Sequence, residues 1–234
     1  MPRAAFSHVN TWVFDLDNTL YPPGSRLFDQ IEVLMIDYVV ETLKIDRAEA
    51  NILRKSYWKD YGTTLAGLMA VHDVDPLPFL DRVHKVDFAA LSPNPDLRDA
   101  INALPGRKVI YTNASRDYGH RLVDHLGLTT CFSALYAVED ANFAAKPHAN
   151  AFARVFEQAK LTPSSAAMFE DDPRNLAVPH DLGMKTVLVG ETAPAPHLHH
   201  QTTDLTGFLR ALVCPPTSPP RRPGPEPGPP NPVA

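Results

Sequence analysis

The chain has 234 residues, 44% hydrophobic and 21% charged, with 22 Lys+Arg against 27 Asp+Glu and a formal net charge of −5. An acidic chain with no basic stripe argues against nucleic acid or an anionic membrane surface as its partner, and no run of about 18 apolar residues is present to span a bilayer. Residues Met1 to His8 lack the apolar stretch of a secretory signal, and two cysteines do not make a disulfide framework, so the expected location is cytoplasmic.

The run Thr11-Trp12-Val13-Phe14 reads as a buried strand that stops abruptly at Asp15-Leu16-Asp17-Asn18. Tyr21-Pro22-Pro23-Gly24 breaks the backbone. From Arg26 to about Leu43, Leu27, Ile31, Leu34, Met35, Tyr38 and Val39 recur at helical spacing, with Ser25 as the expected N-cap. Helical pattern continues over Arg47–Tyr61, Thr64–His72 and Leu77–Val86, with no convincing strand between Pro22 and Ala90. The rhythm then changes to alternation. A helix at Pro95–Leu104, capped by Asn94, leads to a strand at Lys108–Thr112 and a helix at Ser115–Leu126. A strand near Ala134–Val138 and a helix from Pro147 to Lys160 follow, then a strand at Ala166–Glu170, a helix over Asn175–Leu182, a strand at Thr186–Val189 and a last helix at Asp204–Leu212.

Strands alternating with helices imply an α/β, Rossmann-like parallel sheet with helices on both faces. The expected organisation is a core domain from residues 1–21 and 91–214, an inserted all-helical unit at 22–90, and a disordered tail at 215–234, where ten of the 24 prolines fall.

Ligands of an open parallel sheet collect beyond the carboxyl ends of its strands. Those ends carry Asp15 and Asp17, then Thr112 and Asn113, then Glu170-Asp171-Asp172, with Lys146 just before the helix after the third strand. Converging carboxylates repel unless a cation holds them, and hard oxygen donors fit Mg²⁺. Lys146 adds a positive charge for an anionic substrate, while Thr112 and Asn113 offer donors to phosphate oxygens. One aspartate of the Asp15-x-Asp17 pair is suited to nucleophilic attack on phosphorus. The other is suited to protonating the leaving oxygen and then deprotonating water.

Asp15-Leu16-Asp17-Asn18-Thr19-Leu20 resembles the first motif of the haloacid-dehalogenase-like hydrolase superfamily. Tyr111-Thr112-Asn113 resembles its second, Lys146-Pro147 its third and Phe169-Glu170-Asp171-Asp172 its fourth, in the right order over roughly residues 9–213. The resemblance implies Asp15 as nucleophile, Asp17 as acid/base, Thr112 and Asn113 as phosphate ligands, and Lys146 as the charge that neutralises nucleophile and phosphate. It implies Mg²⁺ held by the Asp15 carboxylate, the Asp17 backbone carbonyl and Asp171, with Asp172 supporting the metal through water or taking its place. The helical insertion is similar to the mobile cap of that superfamily. Its metal-free dehalogenases lack an acid two residues after the nucleophile, so Asp17 favours phosphate chemistry.

A narrower resemblance is to pyrimidine 5′-nucleotidases. It is carried by Asp15 to Pro22, by Thr112-Asn113-Ala114-Ser115-Arg116 and by Phe169 to Asn175, with departures at Ala114, where glycine is frequent, and Tyr118, where histidine often stands. The expected activity is thus hydrolysis of a small phosphorylated metabolite, first a pyrimidine nucleoside monophosphate. The alternatives are phosphoglycolate or a sugar phosphate, phosphotransfer within a substrate, and a catalytically silent binding protein. His197, His199 and His200 lack the spacing of a metal site, and the aromatic residues Tyr57, Trp58 and Tyr61 read as core packing.

Overall fold

The computed structural model describes residues 2–213, so the proline-rich segment expected to be disordered lies outside the described residues. A one-turn helix α1 (Pro2–Ala5) precedes β1 (Thr11–Phe14). Four helices follow: α2 (Leu27–Leu43), α3 (Arg47–Tyr61), α4 (Thr64–His72) and α5 (Pro76–Val83). Next come α6 (Pro95–Ala103), β2 (Arg107–Tyr111), α7 (Arg116–His125), β3 (Ala134–Tyr136), α8 (Ala149–Gln158) and β4 (Ala166–Glu170). The chain continues through α9 (Ala177–Asp181), β5 (Lys185–Val189), β6 (His200–Thr202) and α10 (Leu205–Val213).

Local chemistry sets most helix starts. Asp46, Thr63, Asp75 and Asn94 each accept a hydrogen bond from a backbone N–H of the first turn, at 2.9 to 3.1 Å. Such a cap contributes about 1 kcal/mol by pairing an orphan donor. Two expected starts differ. Arg26, with φ 57°, occupies the cap position of α2, and Ser25 only meets the Leu27 N–H at 3.4 Å. Pro147 follows a cis peptide bond to Lys146, and α8 begins two residues later at Ala149.

The sheet is wholly parallel, in the order β3-β2-β1-β4-β5-β6. β1 lies between β2 and β4, with Phe14 opposite Ile110 on one side and Phe169 on the other. Successive side chains feed opposite layers, as the two-residue period of a strand requires. Trp12, Phe14, Ala167 and Phe169 join the larger core with residues of α6, α7 and α10, and the Phe14 and Phe169 rings stack at 4.7 Å. Val13, Val109, Tyr111 and Met168 join the core formed with α8, where Phe152 and Val155 are buried. Central strands covered on both faces are apolar throughout, which is why β4 is buried from Ala166 to Glu170. The chain leaves β1 toward β2 and β3, then returns to β4 on the other side. The β1/β4 boundary is therefore the switch point at which ligand crevices form.

The helices α2 to α5 form one packed unit whose buried residues include Leu27, Ile31, Ala50, Tyr57, Leu68 and Phe79. Gly62, at φ +88°, lets the α3–α4 turn approach the loop before α8; an added Cβ would stand 2.9 Å from Pro147 Cδ and 3.1 Å from the Lys146 carbonyl.

β6 is missing from the sequence reading because His200, Gln201 and Thr202 are polar and give no strand signal. They pair with Val187 to Val189 at the sheet edge. The histidines beside them serve the same edge, since Thr186 Oγ1 donates to the His197 carbonyl at 2.7 Å and lies 2.8 Å from His199 Nδ1.

Candidate active site

The strand ends at the switch point place Asp15 directly after β1 and Glu170 and Asp171 at the end of β4. The Asp15 N–H continues the ladder by donating to the Phe169 carbonyl at 2.9 Å. Lys146 reaches in from the loop before α8. Its Nζ bonds Asp15 Oδ1 at 2.7 Å, Glu170 Oε2 at 2.6 Å and the Tyr111 carbonyl at 3.1 Å. Lys146 and Glu170 are each 1% exposed. Burial by itself would lower the lysine's pKa, but the Asp15 and Glu170 carboxylates reverse this and hold it above the ordinary lysine value.

Asp171 is the third acid. Carboxylate oxygens of Asp15, Glu170 and Asp171 lie within 4.8 Å of one another, and among the described residues this is the one group of three or more acidic, histidine or cysteine side chains so arranged. One lysine does not balance them. Burial and the neighbouring charge of Glu170 push Asp15 up to about 7, and burial with Asp15 and Glu170 pushes Asp171 up to about 9. An uncompensated set of hard oxygens fits a divalent cation such as Mg²⁺. Both Glu170 oxygens are engaged, Oε2 by Lys146 and Oε1 by the Asp172 N–H at 3.2 Å, whereas Asp15 keeps Oδ2 free of Lys146, so Asp15 and Asp171 are the carboxylates suited to hold it.

Asp17 points elsewhere. Its Oδ1 accepts from Tyr118 Oη at 2.6 Å and from Tyr21 Oη at 2.7 Å. Burial raises the Asp17 pKa against the lowering effect of these two bonds. Burial and the charge of Asp17 raise both phenols, so they remain donors at neutral pH. Tyr118 stacks on His84 at 4.5 Å, and His84, pushed down to about 4 by burial, meets Ser115 Oγ at 2.9 Å.

Thr112 Oγ1 accepts from the Ala114 N–H at 3.0 Å, which leaves its own hydroxyl proton to donate. Both ends of the Asn113 amide hold the Lys146 backbone: Oδ1 accepts from its N–H at 2.8 Å and Nδ2 donates to its carbonyl at 3.1 Å. Asp172 lies outside the three-carboxylate group. Its side chain binds Arg174 through Nε and Nη2, the latter at 2.6 Å. The Arg174 guanidinium sits 3.6 Å over the Trp58 ring and donates to the Trp58 carbonyl at 3.2 Å, joining the sheet edge to α3.

The sequence reading gives Tyr21 and Tyr118 no role at this site and counts Glu170 only among the converging carboxylates. Glu170 had a signal: a carboxylate closing an apolar, doubly covered strand needs a buried cation. Tyr118 had none, because only the fold brings α7 over the loop after β1, and Tyr21, four residues from Asp17, sits in a loop whose course no local pattern sets. A cavity of about 870 Å³ opens on Asp15, Asp17, Thr112, Lys146, Glu170 and Asp171 and is roofed by residues of α2 to α5, including Ile31, Arg54 and Phe79.

A lysine-neutralised aspartate at the switch point of a parallel sheet, beneath a helical insertion, defines a hydrolase class. The chain belongs to the haloacid dehalogenase-like hydrolases, whose family model matches residues 9–183. It is 27% identical over 176 residues to phosphate metabolism protein 8 of Saccharomyces cerevisiae, covering 68% of this chain and 54% of that protein. The chain thus spans about half the length of that curated relative.

Among solved structures it resembles a HAD phosphatase from Thermococcus onnurineus, with TM-score 0.60 at 18% identity, covering 88% of this chain and 98% of that one. The HAD-hydrolase YfnB from Bacillus subtilis, bound to magnesium, aligns with TM-score 0.57 at 16% identity over 88% and 99% of the two chains. A 2-haloacid dehalogenase from Pseudomonas syringae pv. Tomato DC3000 aligns with TM-score 0.55 at 19% identity over 87% and 98%. These structural likenesses establish the fold. No described helix is long and apolar enough to cross a membrane.

Proposed function

We propose that the chain is a Mg²⁺-dependent phosphomonoesterase that works through an aspartyl phosphate on Asp15, with a pyrimidine nucleoside monophosphate as the first candidate substrate. The carrying observation is the division of labour between the two aspartates. Asp15 is tied through Oδ1 to Lys146, and Asp17, two residues on, is held by two phenols. A dehalogenase needs no acid at the second position, so the fitted environment of Asp17 supports phosphate over halide chemistry.

Asp15 Oδ2, the oxygen not bound by Lys146, attacks phosphorus, and the bond from phosphorus to the ester oxygen breaks. Asp17 gives its proton to that departing oxygen. In the second half, Asp17 takes a proton from water, whose oxygen attacks the same phosphorus and returns Asp15 as carboxylate. Lys146 opposes the charge on Asp15 and on the phosphoryl oxygens throughout, while the Thr112 hydroxyl and the second N–H of Asn113 are available to donate to them. Asn113 also positions Lys146 through its backbone. Asp15, Asp171 and the Asp17 carbonyl would hold Mg²⁺, which when bound would supply charge stabilisation for the transferring group. Asp172 serves by fixing Arg174 against Trp58. Helices α2 to α5 act as a cap that keeps bulk water from the acyl phosphate.

Phosphate release from p-nitrophenyl phosphate tests the reading. Release is expected with millimolar Mg²⁺ and should fall at least about 100-fold after chelation, returning when the metal is restored. Metal-independent release, or none from any phosphomonoester, sinks it.

The phenols yield a second prediction. Both donate to Asp17 Oδ1, so Oδ2 is the atom left to carry the transferable proton. Tyr118→Phe removes one restraint and should slow an alkyl phosphate about tenfold more than p-nitrophenyl phosphate, whose leaving group needs little protonation. Equal slowing of both substrates would assign Tyr118 to packing alone.

A further inference from the structure

The roof of the cavity contains a charged group for which the phosphoryl chemistry has no use. Arg54, on α3, is 7% exposed and borders the same cavity as Asp15 and Lys146. Its Nη1 lies 3.1 Å from Glu32 Oε1 of α2, and its Nη2 donates to Asn51 Oδ1 at 3.3 Å. Its Nε is buried and has no protein acceptor among the described residues. A guanidinium carries five N–H donors, and keeping one buried while its donors stay unpaired is unfavourable unless something else satisfies them. Packing of the four helices does not need it, since Leu27, Tyr57, Leu68 and Phe79 already supply an apolar interior.

We infer that Arg54 and Glu32 form a substrate-reading subsite for the hydrogen-bonding edge of a planar heterocycle, a nucleobase, carried by the phosphate ester. The inference rests on the phosphatase reading above and specifies its substrate class. Glu32 decides between ligand types. Its carboxylate balances the charge of Arg54, so the pair has no net attraction for a second anion, and a substrate carboxylate or second phosphate would meet Glu32 as a like charge.

What the pair does offer is N–H donors beside a carboxylate acceptor. That combination matches an edge with a carbonyl or ring-nitrogen acceptor next to an N–H donor. The Glu32 side chain is 41% accessible and retains lone pairs for such a donor. The same cavity also carries apolar lining suited to a flat ring, including Phe28, Ile31, Met35 and Leu65. Lys55 and Lys59 border the cavity too, but both are exposed and solvated.

The test compares kcat/KM of the whole chain for three probes: uridine 5′-monophosphate, phenyl phosphate, which has a ring but no hydrogen-bonding edge, and 2-phosphoglycolate, which has a second anion. Arg54→Met should reduce the ratio of uridine monophosphate to phenyl phosphate at least tenfold, mainly through KM. Glu32→Gln, which leaves Arg54 unbalanced, should raise the ratio of phosphoglycolate to uridine monophosphate at least fivefold. Ratios within twofold of the parent in both variants overturn the subsite. Where circular dichroism finds Arg54→Met unfolded, Glu32→Gln decides alone. A parent chain that releases phosphate from phenyl phosphate but prefers it to the nucleotide defeats the subsite only. One that releases phosphate from none of the probes defeats the phosphatase reading and the subsite with it.

Discussion

Asp15→Asn is expected to abolish phosphate release, with a loss on the order of 10⁴-fold or more, because the amide cannot form the aspartyl phosphate. The same change should leave thermal stability equal to or above that of the parent when both are free of metal. Asp15 sits with Glu170 and Asp171 around a single lysine, and its carboxyl is pushed up to about 7 by burial and by Glu170. A carboxyl whose folded-state pKa exceeds its unfolded value costs stability as pH rises through the unfolded value, so at pH 8 the ionised Asp15 works against folding. Asparagine keeps the shape and an oxygen to accept from Lys146 Nζ without that charge. Steady-state phosphate release and a melting curve at pH 8 check both halves. Near-parental turnover would refute Asp15 as nucleophile, and a melting temperature lowered by more than a few degrees would refute the crowding argument.

Lys146→Met should fail in both respects. The ammonium is the shared partner of Asp15 and Glu170, and Glu170 is 1% exposed. Removing one partner of a buried ion pair typically costs about 3–5 kcal/mol, because the remaining charge is left uncompensated. The loss of the positive charge beside the nucleophile should also reduce kcat/KM at least about 1000-fold. The stability deficit has a sign that packing loss would not produce. Lys146 lowers the Asp15 pKa against burial and the charge of Glu170, so without the lysine the folded-state value of Asp15 rises further above the unfolded one. Lowering the pH from 8 to 6 lets Asp15 bind a proton in the folded state, so the gap to the parent should narrow. Melting curves across that range settle it; a deficit that does not change with pH assigns Lys146 to packing.

The architecture is largely legible in the sequence because its signals are local. A four-residue apolar strand ending in Asp15, the 3.6-residue period from Leu27 to Val39, and the alternation after Pro95 each reflect short-range rules that the tertiary structure preserves. The expected strand ends also lie where Asp15, Glu170 and Asp171 meet. Where local signals are weak, the reading and the structure part. The polar trio His200 to Thr202 joins the sheet only because β5 presents a free edge, and Ser25 yields the cap position to Arg26 because the preceding 3-10 turn ends there.

Sequence alone thus determined the parallel α/β sheet, the helical insertion after its first strand, and which strand ends bring acids, a hydroxyl and a lysine to one rim. Only the tertiary structure decided how those acids divide. Glu170 turns to Lys146, Asp171 joins the group formed with Asp15 and Glu170, and Asp172 turns to Arg174, although the three are consecutive. Asp17 is claimed by tyrosines 4 and 101 residues away along the chain. Composition and order deliver carboxylates to the end of a strand, but neighbours along it point in different directions. The partner is local for Asp172 and for the Tyr21 bond to Asp17, but for Glu170 and for the Tyr118 bond to Asp17 it is set by elements distant in sequence, through the burial and charge they bring.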